Sequence, residues 1–342
     1  MRDVTRRSLL KGISLAAGGL IVDASNKKHG QPAPIPPRPK RDLRSALCGV
    51  HNFLTTPFRS NYDLDEQGLY RNVVHHAQNG HEDMTIVVGG GLGELFTLDV
   101  EEQKALAEAA VKGAEGRLPV VVGTGGGYRL ALRMAENAEK AGADAILLFS
   151  PAYGNESAKG VYEYFRAVIE SVAIGVVLYP RGKDEFWPEV LKRLAEFPNV
   201  VGFKDPTGGV ALGKSLGTLV QDRLVWIAEG ETHALEALPA GARAYTTAVA
   251  ALVPNACRDF WKHGAAGEVA AMKRILKSRI DPIVKVRGVK VGYGASGIKV
   301  ALEALGRAGG VVRPPGTQVS PEDRPVIAEI SRRFAEGRQP AG

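Results

Sequence analysis

The chain has 342 residues, 44% apolar and 24% charged, values that exclude a disordered, collagenous or coiled-coil protein and suit one large domain with an extension. Its 44 Lys/Arg against 37 Asp/Glu give a net charge of +7, but residues 1–44 hold ten of those bases and only three of the acids, so the rest of the chain is neutral. A neutral body has no general attraction for phosphate, and no nucleic acid is expected as a partner.

The first segment, Thr5-Arg6-Arg7-Ser8-Leu9-Leu10-Lys11, sets paired arginines ahead of a mildly apolar stretch, residues 12–22. It resembles a bacterial twin-arginine export signal, in which a receptor reads the pair and the apolar region is too short to span a bilayer. Residues 1–24 are read as that signal, with Val22-Asp23-Ala24 offering small residues for cleavage. The expected location is then the periplasm; a merely basic tail on a cytoplasmic protein is the alternative. Residues 25–44, with Gln31-Pro32-Ala33-Pro34-Ile35-Pro36-Pro37, form an extended Pro-rich linker. No later stretch reaches about 18 consecutive apolar residues, so no membrane partner is expected after signal removal. Cys48 and Cys257 make neither a disulfide framework nor a Cys-x-x-Cys site; two buried, reduced thiols are expected, with a single bridge between them the alternative that export would permit.

From residue 45 short apolar runs alternate with amphipathic helical patterns. The strand candidates are 47–55, 85–89, 119–123, 145–150, 175–179, 200–204, 224–228 and 242–247. Most lack polar alternation, as parallel strands buried on both faces do. Helical patterns lie at 65–79, 99–113, 129–141, 159–172, 187–196 and 254–263. Eight such units over residues 45–265 match an α/β fold of the (β/α)8 TIM barrel type, while a doubly wound sheet satisfies the same periodicity. Residues 266–342 change character, with helical patterns at 268–280, 298–305 and 321–335, and are read as a small C-terminal helical extension.

In a barrel the C-terminal strand ends converge on the active site. The sixth strand ends Val200-Val201-Gly202-Phe203-Lys204-Asp205. A lysine there either snorkels to solvent or is buried, and a buried ammonium must be paired or lose its proton, which makes a nucleophilic amine. The fifth strand ends Leu178-Tyr179-Pro180-Arg181, offering a phenol for proton transfer and a guanidinium for a carboxylate, although Tyr179 at such a place also serves simply to cap a core. The second strand runs into Gly89-Gly90-Gly91-Leu92-Gly93-Glu94, whose backbone N–H groups suit an anionic oxygen. This glycine run lacks the Gly-Lys-Ser/Thr of a phosphate loop, and Gly123-Thr124-Gly125-Gly126-Gly127 lacks the spacing of a dinucleotide site. His75, His76, His81, Glu82 and Asp83 cluster without His-Glu-x-x-His spacing, so no metal is expected, and His51 is placed in the core or at the rim.

Gly90-x-x-Gly93-Glu94 after the second strand, Tyr179-x-Arg181 after the fifth and Gly202-x-Lys204-Asp205 on the sixth resemble the dihydrodipicolinate synthase/N-acetylneuraminate lyase family of Schiff-base barrels. The resemblance runs from about Phe53 to Arg313. The stretches 90–98, 202–205, 244–249 and 292–299 are most similar to its 5-dehydro-4-deoxyglucarate dehydratase branch. It implies a 2-keto acid substrate that forms an imine with Lys204 and then loses water and CO2, without a cofactor. It further implies Tyr179 as proton relay, the Gly90 and Gly91 backbone on the keto-acid carboxylate, Arg181 on the far carboxylate, and Thr246, Thr247 and Ser296 near substrate hydroxyls. Tyr153 matches the place of a second tyrosine in the synthases, and a homodimer or homotetramer is implied. Where the synthases carry a Thr-Thr pair this chain has Gly91-Leu92, and where the dehydratase branch carries asparagines it has Pro180 and Ala251. Missing donors weaken binding of polar groups, so a substrate less hydroxylated than a deoxyglucarate is expected. A pyruvate-releasing aldolase, an exported keto-acid binding protein without turnover and a metal-dependent barrel enzyme stay open as alternatives.

Overall fold

The computed structural model describes residues 42–79, 83–151, 156–181 and 186–335. The export signal, most of the linker, His81, Glu82 and Tyr153 lie outside the described residues. Eight parallel strands, β1 (Gly49–Phe53), β2 (Met84–Val88), β3 (Val120–Thr124), β4 (Ala145–Phe149), β5 (Gly175–Tyr179), β6 (Val200–Asp205), β7 (Val225–Glu229) and β8 (Ala244–Thr247), close into a barrel in chain order, with β8 pairing back onto β1. A closed barrel, not a doubly wound sheet, is therefore what the alternation encodes.

Every strand residue is buried except Glu229, the last of β7, which is why the strands read as unbroken apolar runs. Side chains alternate between two cores. Val87, Val121, Leu147, Phe149, Val177, Tyr179, Val225 and Ile227 belong to the inner one, which fills the barrel. Ile86, Val88, Val120, Val122, Ile146, Leu148, Leu178, Phe203 and Trp226 belong to the larger one, packed against the helices.

The pairing of β5 with β6 slips by one residue, Val176 facing Val200 but Val177 facing Gly202, so Val201 is an inserted residue. Such an irregularity re-aims the side chains that follow it. A Cβ at Gly202 would stand 2.7 Å from the Val225 carbonyl oxygen, so only glycine lets β6 lie this close to β7. Two residues on, Lys204 points into the barrel.

All six expected barrel helices form, at Glu66–Gln78, Val100–Ala114, Tyr128–Lys140, Ala158–Glu170, Trp187–Leu194 and Pro254–Ala265. The second is started by a capping box between Asp99 and Glu102, and Asp65 and Ser157 cap the first and fourth. Three short helices lie where no periodic pattern was visible: Ala211–Ser215 and Leu219–Asp222 before β7, and Gly230–Ala237 after it.

The tail continues as Val269–Ile275, a π turn over Leu276–Ile280, then helices Asp281–Gly288, Gly294–Ala304 and Arg324–Phe334. Gly294–Ala304 begins four residues before the expected 298, because Gly294-Ala295-Ser296-Gly297 carries no apolar pattern. Two cations fasten this tail to the loop after β2. Lys299 is wholly buried and bonds to Glu94 and the Val311 carbonyl, while Arg313 pairs with Glu102 and donates to the Thr97 and Tyr62 carbonyls. Burial pushes the Lys299 amine down and Glu94 pulls it back up.

His51 belongs to the core, its Nε2 2.8 Å from the Leu47 carbonyl oxygen and its pKa driven to about 4 by burial. Cys257 is buried as expected, but Cys48 is only half-buried; it lies before β1, outside the closed sheet, and neither thiol forms a disulfide.

Candidate active site

At the C-terminal mouth of the barrel a cavity of about 340 Å³ is lined by the ends of six strands and by one residue of the tail. Its floor is Lys204, whose side chain is only 4% exposed. The Nζ lies 2.7 Å from Glu229 Oε1 and 3.8 Å from the centre of the Tyr179 ring. Desolvation lowers the Lys204 pKa to about 8, outweighing the attraction of Glu229, with Arg181 pushing in the same direction. An appreciable fraction of neutral, nucleophilic amine is thus present near pH 7.

Tyr179 ends β5 with its ring edge-on to Phe149 at 5.0 Å, and its hydroxyl donates to Glu229 Oε1 at 3.2 Å. Burial and the Glu229 charge both raise the phenol well above its ordinary pKa, so it is neutral throughout the working range. Arg181 lies at the rim, 6.0 Å from the Tyr179 ring; its backbone N–H donates to the Ser150 hydroxyl at 3.0 Å, which fixes the start of that loop.

Gly91 and Leu92 line the cavity, but Gly90 does not: it packs beneath, where a Cβ would strike the Phe53 ring at 2.7 Å. Gly93 closes this turn, its Cα so near Gly89 and Gly90 that a Cβ would lie 2.9 Å from both backbone nitrogens. Thr246 and Thr247 also line the cavity. The Thr246 hydroxyl accepts from the Gly230 N–H at 3.2 Å, and the Thr247 hydroxyl donates to Glu231 while accepting from the Val249 N–H. Ser296 lies in the tail helix, buried and outside the lining, its Oγ without a hydrogen-bond partner. Asp205, the other half of the lysine motif, faces outward, accepting from Trp226 Nε1 and from Thr207.

Phe53, Phe149, Glu229, Glu231 and Arg287 complete the wall and were not singled out in the sequence. Glu229 was within reach of the strand-end rule that found Lys204 and Tyr179: it closes a run of period two with Val225 and Ile227. Arg287 has no such signal, since it comes from the tail helix Asp281–Gly288. A larger groove of about 720 Å³, lined by Arg59, Arg71 and Arg307 among others, shares no residue with this cavity and includes no strand end of the barrel.

The arrangement has the parts of amine-carbonyl chemistry: a buried amine to attack a carbonyl, a carboxylate within proton-transfer distance of it, a phenol hydrogen-bonded to that carboxylate, and two guanidinium groups for carboxylates.

The dihydrodipicolinate synthetase family model matches residues 46–333. A probable 5-dehydro-4-deoxyglucarate dehydratase of Rhizobium rhizogenes is 36% identical over 294 residues, 84% of this chain and 96% of that protein. One from Corynebacterium glutamicum is 34% identical over 291 residues, again 84% of this chain and 90% of its own length. Among solved structures, a dihydrodipicolinate synthase from Bacillus clausii superimposes with a TM-score of 0.75 at 29% identity, covering 85% of this chain and 99% of that one.

Proposed function

Since the chain belongs to the dihydrodipicolinate synthetase family and is a lyase of that class, we propose that it forms an imine between Lys204 and a 2-keto sugar acid and removes water and CO2 from it, in the manner of a 5-dehydro-4-deoxyglucarate dehydratase. The observation that supports this most is the amine itself, buried at the strand ends with its pKa lowered to about 8 and a phenol ring 3.8 Å away.

An iminium draws electrons from the adjacent carbon, which then loses a proton; the resulting enamine expels a hydroxyl one carbon further on as water. In this reading the Gly91 and Leu92 backbone takes the keto-acid carboxylate and Arg181 meets the far end of the substrate. Thr246 and Thr247 stand where substrate hydroxyls would come, but each is already engaged with the β7 end, at Gly230 and Glu231. That favours a substrate with few hydroxyls. The paired arginines at residues 6 and 7 favour export, and the family likeness favours a homodimer or homotetramer.

The test is a panel of 2-keto sugar acids assayed for CO2 and semialdehyde, with borohydride reduction to trap the imine. CO2 release together with added mass on Lys204 is expected. Release of free pyruvate instead would make the protein an aldolase, and a Lys204→Ala protein that still turned over would end the imine reading.

A further inference from the structure

We propose that Glu229 is the proton acceptor and donor for the chemistry at Lys204, with Tyr179 as the relay between Glu229 and the substrate. This rests on the imine reading above. Oε1 of Glu229 meets both groups at once, the Lys204 amine at 2.7 Å and the Tyr179 hydroxyl at 3.2 Å. The parity of β7, with Val225 and Ile227 in the inner core, aims it there.

Among the described residues, the other carboxylates around it are committed elsewhere. Asp205 faces outward to Trp226 and Thr207, and Glu231 holds the Thr247 hydroxyl. Arg181 and Arg287 line the same cavity but carry only donors, with no atom to accept a proton. Among the described residues, Glu229 is thus the one carboxylate hydrogen-bonded to either reacting group. A phenol whose pKa is raised by burial and by a neighbouring negative charge is a poor base alone; it can take a proton from carbon only while handing its own to another group.

The steps balance. The Lys204 ammonium passes one proton to Glu229 and the amine attacks the keto carbon; the C–N bond forms and the carbonyl π pair goes to oxygen, which takes the second ammonium proton. Protonated Glu229 then gives its proton to the carbinolamine hydroxyl, which leaves as water as the nitrogen lone pair makes the iminium. Next the C3 proton moves to the Tyr179 oxygen while the phenolic proton moves to Glu229, and the C–H pair becomes the enamine double bond. The reverse relay delivers that proton to the departing C4 hydroxyl, and Glu229 is again a carboxylate.

Pyruvate separates these events, because it forms the imine and has exchangeable methyl protons but no hydroxyl to lose. With full-length protein, the end-point adduct after borohydride is read by mass, and methyl exchange in D2O by NMR. Glu229→Gln is expected to reach the adduct yet exchange at least about 100-fold more slowly, with Glu229→Asp in between. Its trapping rate should also keep its plateau to lower pH, because the charge that holds the proton on Lys204 is gone.

Exchange within about threefold of native in Glu229→Gln would overturn the proposal. So would equal loss of adduct and exchange in both variants, since that assigns Glu229 only to holding the amine. If the glutamine protein does not fold, the aspartate variant decides: slowed exchange with adduct retained supports the relay, and native exchange overturns it. Absence of any adduct in the native protein would remove the imine reading itself, whereas adduct with unaltered exchange removes this inference alone.

Discussion

Glu94 and Lys299 stand 205 positions apart in the chain and meet as an ion pair, with the amine fully buried and the carboxylate side chain 9% exposed. The second Glu94 oxygen accepts the Arg313 N–H at 2.9 Å, so one carboxylate joins the loop after β2 to two points of the tail.

Removing one member of a buried pair strands the other without compensation, at a cost of about 3–5 kcal/mol. Lys299→Met and Glu94→Gln are each expected to lower stability by that order in urea unfolding. The double variant should recover part of the loss, because no lone charge remains; a double variant as unstable as the sum of the singles would show that the two do not act as a pair.

The Lys204 pKa of about 8 sets a pH dependence. Neutral amine should rise about tenfold between pH 7 and a plateau above pH 8, and the initial rate of borohydride trapping with pyruvate should follow it. The effect on stability has a definite sign. Native Lys204 releases its proton near pH 8 and the unfolded chain only near 10.5, so the unfolded state binds more protons in that window. The penalty for burying the ammonium is in full force below pH 8 and fades as pH rises toward 10.5. Lys204→Met should remove this slope from the urea midpoint plotted against pH.

Tyr179→Phe keeps the ring against Phe149 but loses the hydroxyl held by Glu229. The pyruvate adduct should still form, while turnover of a hydroxylated 2-keto acid falls by about 100-fold or more. Turnover within a few-fold of native would exclude the phenol from proton transfer.

Among the described residues, Arg181 and Arg287 are the two guanidinium groups on the cavity wall. A charge-assisted hydrogen bond contributes about 1.5–3 kcal/mol, so Arg287→Ala and Arg181→Ala should each raise KM for a 2-keto dicarboxylate by roughly 10- to 150-fold. Neither should change the half-saturating pyruvate concentration in borohydride trapping as strongly. Equal effects on both substrates would place these arginines on the shared keto-acid end.

Much of this molecule is readable before folding because barrel strands have no solvent face. Val120–Thr124 and Ala145–Phe149 are bare apolar runs, and Lys204 and Tyr179 stand out where such runs stop. Helix Gly230–Ala237 stayed hidden because GETHALEA is short and carries its acids beside its few apolar residues. Glu229, adjoining it, looks like the acid of a helix start, and only the alternation from Val225 reveals that it faces inward. Gly90 and Ser296 fell outside the cavity lining for a different reason: adjacency to a motif does not fix side-chain or backbone direction, which packing against Phe53 and within the tail decides.

Arg287 comes from beyond the eighth strand. The closed sheet alone therefore holds the buried amine but not every charged group that lines the cavity. The wall is assembled from two parts of the polypeptide: the strand ends supply Lys204, Tyr179 and Glu229, and a helix beyond them supplies Arg287. The Glu94 carboxylate, bonded to Lys299 and to the Arg313 backbone, ties a later part of the tail to the loop after β2, whose Gly91 and Leu92 form another stretch of the same wall.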